Sequence, residues 1–190
     1  MARSFVEICA GLHTDKARKH SYETVYPKYF ENIRNDVKEM CDLGICRGGS
    51  LILWEEYFPN AMITGIDIQE LDTDGIPSLS HKRDRNDLYI MDSTDNSLIQ
   101  KNLGKKTFDI IVDDGSHNID DQIQTLKNLW PLLKNGGIYV IEDIEEIESF
   151  SKFSGIENCD CLDLRKNKGR WDDLIIFITK QETGQNIDSL

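Results

Sequence analysis

KEMCDLGICRGGS, residues 38–50, joins a short apolar strand pattern to a turn rich in glycine. We predict a strand over residues 38–43, followed by the turn and then by a helix with Ser50 as its N-terminal cap. Three apolar residues would share one face of this helix: Leu51, Trp54 and Phe58. A strand, a glycine turn and a helix in this order form the first half of a βαβ unit.

The same alternation of strand and helix patterns continues along the chain. Four more apolar runs, each with a carboxylate at or near its end, predict strands at residues 62–68, 88–91, 108–112 and 138–141. Apolar residues repeat at helical spacing over residues 119–133, and Asn135-Gly136-Gly137 is predicted to stop that helix and start the next strand. These patterns predict five parallel strands connected by helices.

The two ends of the chain have different patterns. Residues 159–164 and 174–179 predict a terminal antiparallel strand pair around a polar turn, and residues 22–37 predict a helix that becomes regular at Pro27. We therefore expect an α/β fold, a Rossmann-like, doubly wound and mostly parallel sheet with a C-terminal antiparallel pair. The expected organisation is one domain, residues 1–190, with residues 1–37 as a helical lid and residues 38–190 as the core.

Composition restricts the classes of partner. The chain has 190 residues, 39% of them hydrophobic, and a formal net charge of −12, so it should repel nucleic acid and anionic membrane surfaces. It contains no apolar run of signal or membrane-spanning length, and its five cysteines lack zinc or redox spacing. We expect a cytoplasmic protein with reduced thiols that acts on a small molecule. A homo-oligomer is left open.

Carboxylates follow the strands at the edge where open parallel sheets bind ligands. They are Asp42, Asp67, Asp92, Asp113, Asp114, Glu142 and Asp143. Asp67 is placed to accept hydrogen bonds from a ribose diol, and Asp92 to accept one from an adenine amino group. Cys46 occupies the position where a dinucleotide fingerprint needs its second glycine, which disfavours NAD. The pattern favours an adenosine cofactor without a pyrophosphate.

The segment Asp113-Asp114-Gly115-Ser116-His117 brings two carboxylates and an imidazole to one strand-to-helix turn. His117 has a side chain suited to general-base catalysis near neutral pH. Asp114, Glu142 and Asp143 would offer hard oxygen ligands for Mg²⁺, which would also relieve their mutual repulsion. The alternative is that some of these acids cap helices and the others are solvated.

These residues carry a resemblance to the metal-dependent O-methyltransferases that act on macrolide sugars and to the related cephalosporin hydroxylase-like and rhamnosyl methyltransferase group. The matching blocks are HTDK (13–16), HSY (20–22), LGICRGGSL (43–51) with Trp54, YFPNA (57–61), GID (65–67), DDGSH (113–117) and GGIYVIED (136–143). The chain departs from relatives at Ile144-Glu145-Glu146, where hydroxyl and aromatic residues are common.

The resemblance implies a class I S-adenosylmethionine-dependent, Mg²⁺-dependent sugar O-methyltransferase. It implies that Asp114, Glu142 and Asp143 bind the metal and that His117, assisted by Asp114, is catalytic. The residues expected around the cofactor are Thr14, Lys16, Asp42, Gly44, Gly48, Ser50, Asp67, Asp92 and Asp113. Two alternatives remain: a protein that only binds an adenosine ligand, and an NAD-dependent oxidoreductase.

Overall fold

The computed structural model describes residues 2–70 and 84–182, together with Ile187 and Leu190. Its strands are β1 (Glu39–Leu43), β2 (Met62–Asp67), β3 (Asn86–Ile90), β4 (Phe108–Asp113), β5 (Leu133–Ile141), β6 (Cys159–Asp163) and β7 (Leu174–Thr179). Its α-helices are α1 (Phe5–Cys9), α2 (Tyr26–Phe30), α3 (Gly49–Tyr57), α4 (Asn96–Leu103), α5 (Ile119–Leu129) and α6 (Arg165–Lys168). Short 3₁₀ turns cover Tyr22–Thr24, Glu31–Ile33, Trp130–Leu132 and Ile147–Phe153.

The seven strands form one sheet in the order β3-β2-β1-β4-β5-β7-β6. Strands β1 to β5 pair in parallel, while β7 runs antiparallel to both β5 and β6. The sheet order reverses direction at β1 and β4, and ligands bind at this kind of switch point in open α/β sheets. The predicted fold class is confirmed, including the antiparallel C-terminal pair.

Local details differ from the sequence-based expectation at strand β5 and in the connection between β6 and β7. Strand β5 begins at Leu133 and includes Asn135-Gly136-Gly137, because Gly136 N–H donates to Lys180 O at 2.8 Å and Lys180 N–H donates back to Gly137 O at 2.9 Å. Residues 165–168, expected in a polar turn, form the helix α6, which ends at Gly169 with φ of 75°. Both differences add regular secondary structure next to the antiparallel strands β6 and β7.

Two apolar layers cover the sheet. One face packs against α3 and the front of the chain, where Tyr26 and Trp54 lie with ring centroids 5.2 Å apart. The other face packs against α4 and α5. The front of the chain was predicted as one regular helix from Pro27, but it consists of short α and 3₁₀ turns. None of the helices in the described ranges is long and apolar enough to cross a membrane.

Candidate active site

A cavity of about 750 Å³ lies at the carboxyl ends of the central strands. The loops after β1, β2, β3 and β4 line it, together with residues 13–16 from the front of the chain. Ten of the residues expected at the site line this cavity: Thr14, Lys16, Gly44, Ser50, Asp67, Asp92, Asp113, Asp114, His117 and Asp143. Asp42, Gly48 and Glu142 lie behind its walls.

The glycines of the first turn allow segments of the chain to approach one another. Gly44 has φ of 77°, and a Cβ added there would lie 1.8 Å from the carbonyl oxygen of Asp114. A Cβ on Gly49 would lie 2.0 Å from the carbonyl oxygen of His13. These glycines therefore join the turn to the Asp114 loop and to the front of the chain. From the sequence, these glycines were predicted only to let the backbone approach a ligand.

Asp42 stabilises this turn from below. Its carboxylate is fully buried and accepts hydrogen bonds from Ser50 Oγ at 2.6 Å and from Trp54 Nε1 at 3.0 Å. Burial raises the pKa of Asp42 to about 6. Ser50 was expected to cap α3, but the helix already begins at Gly49, so the N-cap position is held by Gly48 in the left-handed region.

Two other strand-end acids, Asp67 and Asp92, face the open part of the cavity, and we call them the open rim. Asp67 accepts hydrogen bonds from the backbone N–H groups of Cys46 at 2.9 Å and Gln69 at 3.0 Å. Asp92 accepts from the backbone N–H of Thr94 at 2.9 Å and from its hydroxyl at 2.7 Å. These bonds fix each carboxylate, and a carboxylate oxygen can accept more than one hydrogen bond.

Asp114 and Asp143, at the other end of the cavity, and Glu142, buried behind its wall, form what we call the acid pocket. Lys16 Nζ donates to Asp114 Oδ2 at 2.7 Å and to Glu142 Oε2, and its side chain is only 1% exposed. The Tyr26 hydroxyl donates to the other oxygen of Glu142. In the same way the hydroxyl of Tyr22 donates to Asp143 Oδ1. The acid pocket is thus held by three side chains from the front of the chain.

Burial and charge act against each other in the acid pocket. Burial raises the pKa of Glu142 well above its ordinary value and that of Asp143 to about 7. Burial also acts to raise the pKa of Asp114, but the Lys16 charge and the hydrogen bonds of His117 and Lys16 hold it below its usual range. The neighbouring Asp113 has its pKa raised to about 7, chiefly by burial. Burial therefore favours the protonated forms of Glu142 and Asp143, and a cation bound beside them would favour the ionised forms.

His117 lies beside the acid pocket with its side chain 36% exposed. Its Nε2 is 3.1 Å from Asp114 Oδ1 and 3.9 Å from Asp143 Oδ2. The hydrogen bond to Asp114 raises the pKa of His117 to about 9. His117 and Asp143 both have positive φ, 58° and 52°, and such non-glycine conformations cost about 1–3 kcal/mol each. Strain of this kind concentrates at functional sites.

The donor set fits a divalent cation. Single ligand atoms of Asp114, His117 and Asp143 all lie within 4.8 Å of one another, and carboxylate oxygens are the ligands that Mg²⁺ prefers. Glu142 is adjacent, but Lys16 and Tyr26 already hold its two oxygens. Coordination of a cation by Glu142 beside Asp114 and Asp143 would therefore compete with the hydrogen bonds from Lys16 and Tyr26.

Sequence reasoning missed the residues that hold the acid pocket. Tyr22 and Tyr26 were taken as apolar residues of an amphipathic helix, and Lys16 as a cofactor contact. The sequence signal is the dense run of Lys, His and Tyr in residues 16–26, which carries more polar hydrogen-bonding groups than a helix covering a sheet requires. His20, also 1% exposed, lies with Nδ1 3.3 Å from Asp143 Oδ1. Asp172 beside it is paired with Arg170 at 2.6 Å.

The sheet order, the parallel core and the cavity define the fold of class I S-adenosylmethionine-dependent methyltransferases. Comparison with solved structures agrees: the MycE methyltransferase of the mycinamycin biosynthetic pathway, in complex with Mg, SAH and mycinamycin VI, superposes with a TM-score of 0.76 at 22% identity. That superposition covers 97% of this chain and 57% of MycE.

The curated relatives are sugar O-methyltransferases. The chain is 33% identical over 135 residues to an 8-demethyl-8-(2-methoxy-alpha-L-rhamnosyl)-tetracenomycin-C 3'-O-methyltransferase of Streptomyces olivaceus, covering 66% of this chain and 32% of the relative. It is 32% identical over 134 residues to the mycinamicin VI 2''-O-methyltransferase of Micromonospora griseorubida, with the same two coverages. The chain thus spans about a third of the length of these relatives. No family model matches it. The resemblance inferred from the sequence is confirmed by these homologues.

Proposed function

We propose that this chain is an S-adenosylmethionine-dependent, Mg²⁺-dependent O-methyltransferase that acts on a hydroxyl of a sugar or of a glycosylated small molecule. The observation that carries the proposal is one cavity with the open rim at one end and the acid pocket with His117 at the other. The homology to sugar O-methyltransferases supports the same reaction and acceptor class. The sulfonium methyl would lie between the two ends.

The open rim and the first turn bind the cofactor. Asp67 would accept hydrogen bonds from the ribose hydroxyls, and Asp92 would accept one from the adenine amino group. Gly44, Gly48, Ser50 and Asp113 shape the wall between them, while Thr14 approaches from the front of the chain. Asp42 acts from behind this wall through its bonds to Ser50 and Trp54.

The acid pocket and His117 serve the acceptor. Asp114, Glu142 and Asp143 would hold Mg²⁺, which supplies a Lewis acid that lowers the pKa of a coordinated hydroxyl. Nε2 lies 3.1 Å from Asp114 Oδ1, so Asp114 holds the ring beside the acid pocket, and His117 would take the hydroxyl proton once that contact gives way and the nitrogen is free to accept. S-adenosylmethionine would supply the methyl group, whose bond to sulfur would break as the deprotonated oxygen bonds to it. Since His117 is partly exposed, the proton can pass to solvent.

The broader setting is also a proposal. Residues 1–190 act as one domain, with residues 1–37 as a lid over the site and residues 38–190 as the core. The net charge of −12 supports a small acceptor rather than nucleic acid. The reaction would take place in the cytoplasm, and the assembly could be a homo-oligomer.

Calorimetry with S-adenosylmethionine, with and without Mg²⁺, tests the function directly. Wild type and His117→Ala should bind the cofactor with affinities within about threefold, whereas Asp67→Ala should lose at least about tenfold, since two hydrogen bonds to the ribose disappear. A panel of rhamnosylated acceptors then tests methyl transfer by mass spectrometry. Absence of cofactor binding by wild type at millimolar concentration would contradict the proposal.

A further inference from the structure

We propose that Lys16 is a tethered counter-ion that competes with the divalent cation for Asp114 and Glu142, so that the front of the chain sets the metal affinity of the site. The inference rests on the proposed function in that it assigns the cation to the acid pocket. In this proposal Lys16 acts through Asp114 and Glu142, as a positioning residue, and not through a contact with the cofactor.

The geometry of Lys16 carries the inference. Its ammonium lies between an oxygen of Asp114, at 2.7 Å, and an oxygen of Glu142. These are two of the three acids that would coordinate the metal. A hard cation and an ammonium group at the same carboxylates share the same oxygen lone pairs and repel each other, so each weakens the binding of the other. Coordination of the ion by Asp114 and Glu142 is therefore favoured when the Lys16 amine leaves.

The backbone around Lys16 is fixed, and its buried side chain borders the cavity. The Lys16 carbonyl accepts the Tyr22 N–H at 3.1 Å, and the nearby His13 carbonyl packs so closely on Gly49 that a Cβ there would lie 2.0 Å away. Lys16 also lines the 750 Å³ cavity. A flexible four-carbon stem on a fixed backbone can exchange between the acid pocket and the cavity.

The charge balance gives the direction of the effect. The acid pocket contains three carboxylates. Among the hydrogen bonds of the described residues, those from Lys16 are the ones that bring a lysine charge to these acids. Removing the ammonium leaves the pocket one unit more negative and frees an oxygen on each of two acids. Both changes favour a divalent ion. If Lys16 instead helped to bind the ion, its removal would weaken binding.

Titration of the full chain with Mg²⁺ and with Mn²⁺ by calorimetry, in wild type and Lys16→Met, tests the competition. We expect the Kd of Lys16→Met to fall by about tenfold or more, as expected for removal of an adjacent like charge. The matched control is Lys19→Met, which removes the same charge three residues away from a side chain that is 54% exposed. Its Kd should stay within about twofold of wild type, because exposed charges are screened.

Thermal unfolding of the same proteins gives a second readout that needs no turnover. Without metal, Lys16→Met should melt at a lower temperature than wild type, because two buried carboxylates lose their cation. Saturating Mg²⁺ should raise its melting temperature more than that of wild type. A Kd for Lys16→Met that is equal to or larger than that of wild type would overturn the proposed competition, although the metal site itself would still stand.

Wild-type protein provides a test that does not depend on the folding of a variant. Acetylation of Lys16 by an amine-reactive reagent, measured by mass spectrometry relative to Lys19, should increase when Mg²⁺ saturates the protein. Equal protection of Lys16 with and without Mg²⁺ would overturn the proposal. If neither wild type nor Lys16→Met binds Mg²⁺ or Mn²⁺, the proposed metal dependence fails, and the competition fails with it, while cofactor binding remains a separate result.

Discussion

The acid pocket and the open rim are built from the same kind of residue, a carboxylate after a parallel strand, yet their surroundings differ. Asp67 and Asp92 are bonded by backbone N–H groups of their own turns or of the neighbouring turn. Glu142 and Asp143 are 1% and 6% exposed and are held by side chains more than 100 positions away in the sequence. The positions of the open-rim carboxylates are therefore set by nearby turns, whereas those of the acid pocket depend on contacts between distant parts of the chain.

The largest expected effect concerns the acid-pocket end. His117→Ala should lower methyl transfer by about 10²–10⁴-fold, the usual contribution of a general base, with cofactor affinity nearly unchanged. His13→Ala is the matched control, since His13 lines the same cavity on the side of the front segment. Its rate should stay within about threefold of wild type. Equal losses in both variants would show that His117 has no special catalytic role.

The contact that joins the two ends can be broken at Gly44. Gly44→Ala should lower the free energy of unfolding by at least about 3 kcal/mol or prevent folding, because the new Cβ meets the Asp114 carbonyl at 1.8 Å. Gly136→Ala is a close control, since Gly136 has φ of 78° but nothing within 4 Å of its added Cβ. It should cost about 1–2 kcal/mol for backbone strain alone.

Urea unfolding of both glycine variants measures the difference between them. The two substitutions share the left-handed backbone, so the excess loss in Gly44→Ala isolates the close approach of two chain segments. If the two variants lost the same stability, the turn could shift away from Asp114 without cost. The two ends of the cavity would then be less tightly joined than the distances indicate.

The buried Asp42 beneath the turn gives a pH-dependent comparison. Its pKa is raised from 3.8 to about 6 by burial, so the folded state holds the proton more tightly than the unfolded state. The associated stability is fully present below the unfolded pKa and is lost as pH rises through about 6, by about 3 kcal/mol. Asp42→Asn lacks this dependence, and it should gain that amount relative to wild type between about pH 4 and 7.

Asp109 provides the opposite sign as a control. Burial acts to raise its pKa, but hydrogen bonds from Lys134 and from the N–H groups of Lys38 and Glu39 leave it below the usual value. Its stabilising contribution is present above the unfolded pKa and is lost as pH falls. Chemical unfolding should therefore show opposite signs in two pH windows: relative to wild type, Asp42→Asn should gain stability as pH rises from about 4 to 7, and Asp109→Asn should gain it as pH falls below about 4. Matching slopes would contradict the assignment of Asp42.

The same difference explains what could be predicted from the sequence. The strands, their alternation with helices and the acids at the strand ends follow from hydrophobic periodicity and local turn residues. Asp67 and Asp92 are two of these acids. The bonds from Lys16 to Asp114 and Glu142 join residues 98 and 126 positions apart. No local pattern contains such pairings. The front of the chain was for that reason predicted as one helix, although buried polar contacts shape it into shorter turns.

The smallest effect separates two acids of one loop at the open-rim end. Asp92 lines the cavity, whereas Asp95 caps α4 by accepting the N–H groups of Ser97 at 2.8 Å and Leu98 at 3.3 Å. Asp92→Ala should weaken S-adenosylmethionine binding by about tenfold, the worth of one hydrogen bond to the adenine amino group, with a stability loss of about 0.5 kcal/mol. Asp95→Ala should cost about 1 kcal/mol of stability and leave the affinity unchanged. Calorimetry measures the cofactor affinity of both variants, and urea unfolding measures their stability, so together they separate the two effects. If Asp92→Ala changed only stability, Asp92 would be a turn-forming residue, and the adenine contact would have to come from another residue of the cavity.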